Sequence, residues 1–141
     1  MINSIVIDSS VWIRVLRKSP DEVLAEEVDF LIRDKRAAFV QVIKIEVLSG
    51  ATTTKDFNLL KQSFEGLVKL EVDERVWEIS AEWAFELRRA GISVPLTDIL
   101  IAATTYTNSA LLLHADKHFD FISSKYPVET RNCLQSDTGK Q

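Results

Sequence analysis

The chain has one cysteine in 141 residues, Cys133, so no intramolecular disulfide can form and the fold must rest on buried apolar surface. A lone thiol points to a reducing compartment, the cytoplasm. Only four glycines and three prolines occur, and no internal repeat, which excludes low-complexity classes. No apolar stretch approaches the ~20 residues that a membrane helix needs. The first residues carry no basic segment and Asp8 interrupts the opening apolar run, so no secretory leader is expected. Positive charge is short as well: 17 Lys and Arg stand against 21 Asp and Glu, for a net charge of −4. That sign excludes a protein that coats nucleic acid by charge alone. It is compatible with a hydrolytic site built from carboxylates, whose local field a bound cation inverts.

What is present is an ordinary globular composition, 46% hydrophobic and 27% charged, at a length that suits one domain. The organising stretch is Ile5-Val6-Ile7-Asp8-Ser9-Ser10-Val11-Trp12. A short, continuous, β-branched run reads as a strand buried on both faces, as in a parallel sheet covered by helices. Asp8 then stands at the carboxyl end of a central strand, where open α/β sheets bind ligands. It is a metal ligand, a nucleophile or a helix cap. Ser9 or Ser10 can cap the next helix, which carries Val11, Trp12, Val15 and Leu16 on its apolar side.

Further along, Ser19-Pro20-Asp21-Glu22 predicts a helix start with Ser19 as cap, followed by a stripe of Leu24, Val28, Leu31 and Ile32. Residues 37–41 predict a second strand. A helix over 42–49 follows, with Ile45 and Leu48 inward, Glu46 among them and Gly50 at its end. A short helix with Phe57, Leu60 and Phe64, a third strand over 67–72 and a long helix capped by Asp73 come next. Trp83 lies on that helix's apolar stripe and Trp77 off it. Thr97 is the expected cap of a helix that is apolar all round, with Asp98 in its first turn. Residues 110–114 form a fourth buried strand, Asp116 follows it, and residues 128–133 make a fifth, edge strand. We expect one domain over 1–133 and a polar tail over 134–141.

Asp8 and Asp116 both follow buried strands, Asp98 heads a buried helix, and Glu46 lies in the helix after the second strand. With right-handed crossovers, all four can meet at the carboxyl edge of one sheet. Clustered carboxylates raise each other's pKa, and a hard divalent cation relieves the repulsion, Mg²⁺ best or Mn²⁺. Such an ion activates water and holds a phosphate oxygen, which is the chemistry of phosphodiester hydrolysis.

Together, Val6-Ile7-Asp8-Ser9-Ser10-Val11-Trp12, Ile45-Glu46-Val47-Leu48-Ser49-Gly50, Thr97-Asp98-Ile99-Leu100-Ile101-Ala102-Ala103 and His114-Ala115-Asp116-Lys117-His118-Phe119 resemble the PIN domain. Among PIN domains they look like the VapC-type toxins of bacterial and archaeal toxin–antitoxin pairs, over residues 5 to about 121. The resemblance implies a three-layer α/β/α sandwich with sheet order 3-2-1-4-5 and a Mg²⁺- or Mn²⁺-dependent endoribonuclease. It also implies a homodimer and an inhibitory antitoxin protein. Asp8, Asp98 and Asp116 would hold the metal, and Glu46 would hold metal or orient water. The products implied are a 5′-phosphate and a 3′-hydroxyl.

Two positions depart from the pattern. His114 stands where the family often has Thr or Ser, and His118 where it often has a further Asp. His118 is either a replacement ligand favouring Mn²⁺ or a solvent-facing side chain near the site. Arg14, Lys117 and His118 are the candidates for gripping RNA. Three rivals were weighed. A receiver domain needs an acidic pair after the first strand, and an aspartyl phosphatase needs Asp-x-Asp; Ser9-Ser10 supplies neither. The third is a PIN fold kept as an RNA- or protein-binding module with a weakened metal site.

Overall fold

The computed structural model describes residues 4–134, so all but the first residue of the tail expected over 134–141, and the first three residues, lie outside the described residues. Five strands form one parallel sheet in the order β3-β2-β1-β4-β5. Strand β1 (Ile5–Ile7) is central, pairing with β2 (Ala37–Phe39) on one side and β4 (Leu111–His114) on the other. Val6, Ile7, Leu112 and Leu113 are completely buried, which is why these strands read as unbroken apolar runs. The edges are β3 (Val68–Lys69) and β5 (Glu129–Asn132). The chain steps outward from β1 to β3, then crosses back to β4. The strand order therefore reverses between β1 and β4, and the crevice lies at their carboxyl ends.

Helices α1 (Ser9–Leu16), α2 (Glu22–Arg33), α3 (Gln41–Ser49) and α4 (Thr54–Glu65) link β1, β2 and β3; α5 (Glu74–Arg89), α6 (Leu96–Thr107) and α7 (Lys117–Lys125) link β3, β4 and β5. Right-handed crossovers place the first set on one face and the second on the other. Packing agrees: α1 meets α2 and α3, and α6 meets α5 and α7. Each face has an aromatic centre. Trp12 and Phe39 both pack on Phe64, at 5.5 and 5.2 Å, while Trp83 stacks on Tyr126 at 4.2 Å.

Several local expectations change. Asp21, not Ser19, caps α2 by accepting from the Leu24 N–H. Pro95 occupies the N-cap of α6 without a side-chain bond, so Thr97 is inside the helix and exposed. On α3 the inward residues are Ile43 and Val47, and Ile45 is 64% exposed. The third strand shrinks to two residues. Scarce glycine is also explained. Among the described residues, three helices end in a left-handed residue with the same pair of backbone bonds, yet only Gly91 (φ 77°) is glycine; Lys35 and Ser109 fill the other two. Gly50 and Gly66 sit at C-caps with ordinary negative φ, so their freedom is not used.

Candidate active site

Asp8 leaves β1 and becomes the N-cap of α1. Its Oδ2 accepts from the Ser10 N–H at 3.0 Å and from Ser10 Oγ at 2.6 Å. Ser10 Oγ in turn accepts the Ala115 N–H at 2.9 Å, which ties the β1–α1 junction to the β4–α7 junction. Ser9 Oγ donates to Glu46 Oε1 at 3.2 Å, joining α1 to α3. Ser9 and Ser10 are therefore not the caps of α1; they hold two of the acids. The sequence signal for this was available, because a cap at Asp8 frees the two following hydroxyls to bond acids, Ser10 to Asp8 itself and Ser9 to Glu46.

Asp116 repeats the pattern at β4. It caps α7, accepting the His118 N–H at 2.9 Å, while its own N–H donates to His114 Nδ1 at 3.2 Å. His114 is fully buried, and burial pushes its pKa down, so the ring is neutral and can accept at Nδ1. Its Nε2 lies 3.8 Å from Asp120, which Asn132 of β5 holds at 2.8 Å. The imidazole thus stands beneath Asp116 as a prop rather than in the crevice.

Asp98 comes from the first turn of α6 and is only 7% exposed. His118 Nδ1 lies between it and Asp116, 3.2 Å from Asp98 Oδ2 and 3.2 Å from Asp116 Oδ1. These three residues each offer a ligand atom, all within 4.8 Å of one another. Glu46 stands at the exposed rim. Of the expected RNA-gripping residues, Lys117 points outward beside Asp116, and Arg14 lies near Cys133, whose thiol burial pushes up against the pull of Arg14. Neither is ion-paired to the acids among the described residues.

The electrostatics record the crowding. Asp98 is pushed up to about 7, first by burial and then by Asp8 and Asp116, with His118 pulling the other way. Burial also raises Asp8 against the bonds from Ser10. Glu46 is raised by burial and then by Asp8 and Asp116. Asp98 and Glu46 thus both feel Asp8 and Asp116. Carboxylate oxygens and an unbonded imidazole nitrogen converging this closely fit a divalent cation.

A parallel α/β/α sandwich with acids gathered at its switch point defines a class of acidic-site α/β domains. The PIN domain family model matches residues 5–124. Ribonuclease VapC11 of Mycobacterium tuberculosis is 33% identical over 123 residues, which cover 84% of this chain and 91% of the relative. The chain belongs to the PIN-domain family. Solved structures with the same fold include the DNA-bound VapBC complex of Salmonella typhimurium, with a TM-score of 0.76 and 16% identity over 94% of this chain and 98% of that one. VapBC-1 from nontypeable Haemophilus influenzae has a TM-score of 0.75 and 20% identity, with the same two coverages.

Proposed function

We propose that this chain is an endoribonuclease, the toxin of a VapBC-type pair, that hydrolyses RNA phosphodiester bonds at the site of Asp8, Glu46, Asp98 and Asp116. The observation that carries the reading is the convergence of these four acids from four separate elements into one field that raises Asp98 to about 7. Burying unpaired carboxylates costs stability and serves no packing purpose. The likeness in sequence to a relative that is a ribonuclease supports the same reading.

Asp8, Asp98 and Asp116 would hold Mg²⁺ or Mn²⁺, which would supply activation of water and neutralisation of charge on the phosphate. Ser10 fixes the Asp8 carboxylate, and His114 fixes the Asp116 backbone, so neither has to reorganise when substrate arrives. Glu46, held by Ser9 and raised from its ordinary value by burial, orients the attacking water and takes its proton. Lys117, exposed at the start of α7, meets the RNA backbone; Arg14 is the weaker candidate, because it lies toward Cys133. The nuclease domain spans 1–133.

Two surfaces suit the partners. A groove of about 520 Å³ between α1, α3 and α4 opens beside Glu46 and is lined by Ile13, Leu16, Val47, Leu59 and Leu60. Its apolar floor and acidic mouth accept an amphipathic antitoxin segment ending in arginine, whose fork pairs with carboxylates. On the opposite layer, Trp77 is 54% exposed and Phe85 and Leu96 are also bare, a face on which a homodimer hides apolar surface.

The test is cleavage of single-stranded RNA in Mg²⁺ or Mn²⁺, with EDTA and Asp8→Asn as controls. Cutting should persist when the scissile nucleotide is 2′-deoxy, because the nucleophile is water. A 2′,3′-cyclic phosphate product, or cutting by Asp8→Asn at the wild-type rate, contradicts the mechanism; no cutting in either ion leaves a binding module.

A further inference from the structure

We propose that the His118 ring is a direct ligand of the divalent ion through Nδ1 and tilts the site toward Mn²⁺ over Mg²⁺. This rests on the metal-site reading above and adds a nitrogen donor to it. His118 is the second residue of α7, so its backbone N–H is spent on capping by Asp116 while its ring reaches across to Asp98 of α6. The ring is 30% exposed, but Nδ1 itself is buried. It lies at 3.2 Å from an oxygen of each acid and makes a hydrogen bond to neither. A nitrogen presented to two oxygens without bonding to them has the arrangement of adjacent ligands, which sit about 3 Å apart around an octahedral ion at about 2.1 Å. The chain's other histidine, His114, is excluded from this role because its Nδ1 already accepts the Asp116 N–H and its Nε2 faces Asp120.

The chemical consequence follows from donor type. All-oxygen sets suit Mg²⁺, while an imidazole nitrogen binds first-row transition ions better, with Mn²⁺ the mildest gainer. A further aspartate at this position would give an all-oxygen site; His118 gives two carboxylates and a nitrogen from Asp98, Asp116 and His118.

The experiment is calorimetric titration of the purified chain with MnCl₂ and with MgCl₂, in wild type, His118→Ala, His118→Asp and Asp98→Asn, alongside electron spin-echo modulation of bound Mn²⁺. Circular dichroism checks that each variant is folded. Wild type should show ¹⁴N modulation. His118→Ala should erase it, weaken Mn²⁺ by roughly tenfold and weaken Mg²⁺ far less. His118→Asp should lack the modulation and narrow the gap between the ions. Wild-type Mn²⁺ without ¹⁴N modulation overturns the proposal, and so does His118→Ala that tightens both ions, since the ring would then be a cation competing for their place. Asp98→Asn separates the two levels. If it binds Mn²⁺ as wild type does, the metal-site reading itself fails; if it loses Mn²⁺ while His118→Ala keeps it, only the His118 assignment fails.

Discussion

Asp8 and Asp98 are both nearly sealed from solvent, at 3% and 7% exposure, yet they are held in opposite ways. Asp8 takes the hydroxyl and amide of Ser10 and caps a helix, so its burial is partly offset, although burial still raises its pKa. Among the described residues no hydrogen bond holds the Asp98 carboxylate; its neighbours are His118 and other acids, and its pKa climbs to about 7. One acid therefore does structural work besides the chemistry proposed for it, and the other is a stability cost that the proposed cation would offset. The position of an acid at a strand end or helix start does not reveal which kind it is; the donors around it do.

The sharpest way to break this contrast is to neutralise each acid in turn. Asp98→Asn should lower RNA cleavage by about 10³-fold or more, as expected for loss of a metal ligand, while raising the melting temperature of metal-free protein at pH 8. Asp8→Ala should lose cleavage equally but melt earlier, because it forfeits a cap worth about 1 kcal/mol. Equal melting shifts in a thermal scan would erase the distinction.

The pH profile of metal-free protein sharpens it further. Asp98 binds its proton more tightly folded than unfolded, since its value rises from 3.8 to about 7. A raised carboxylate contributes stability that is fully present below the unfolded value and is lost as pH climbs through the folded one. Melting temperature should therefore fall between about pH 4 and 7 in EDTA. Asp98→Asn should flatten that fall, and saturating Mn²⁺ should restore stability above pH 7. A profile that Asp98→Asn leaves unaltered would place the proton elsewhere.

Ser10→Ala is next in size. It removes the bond to Asp8 and strands the Ala115 N–H, a loss of about 1–3 kcal/mol measurable by denaturant melts, with a smaller loss of cleavage than either acid variant. The smallest effect belongs to His114. His114→Leu should weaken Mn²⁺ about tenfold through Asp116, and His114→Asn, which keeps an acceptor near Nδ1, should recover most of it. Matching calorimetric affinities for the two variants would show that the ring merely fills space.

The central architecture was legible because it is written in burial. Residues 5–7 and 110–113 are apolar without alternation, and only a strand covered on both faces demands that. The three aspartates follow from those runs and from the apolar helix headed by Asp98. The misread caps of α1 and α2 share one cause, competition between neighbouring polar residues for one role. Ser19 and Asp21 both suit a cap, as do Asp8, Ser9 and Ser10, and only the path of the chain decides between them. Ile45 looked inward because Val, Ile and Leu crowd α3 on all sides, leaving weak periodicity to read. The placement of His118 between two acids depends on α6 and α7 meeting across the crevice, a tertiary contact that no local pattern encodes.

The most direct test of the account is anomalous diffraction from crystals of the chain grown with Mn²⁺. The account predicts a peak in the crevice at about 2.0–2.6 Å from oxygens of Asp98 and Asp116, with Asp8 and Glu46 around the same ion or its water. Saturating Mn²⁺ that leaves no peak among these acids, with His118 bonded across them instead, would contradict it.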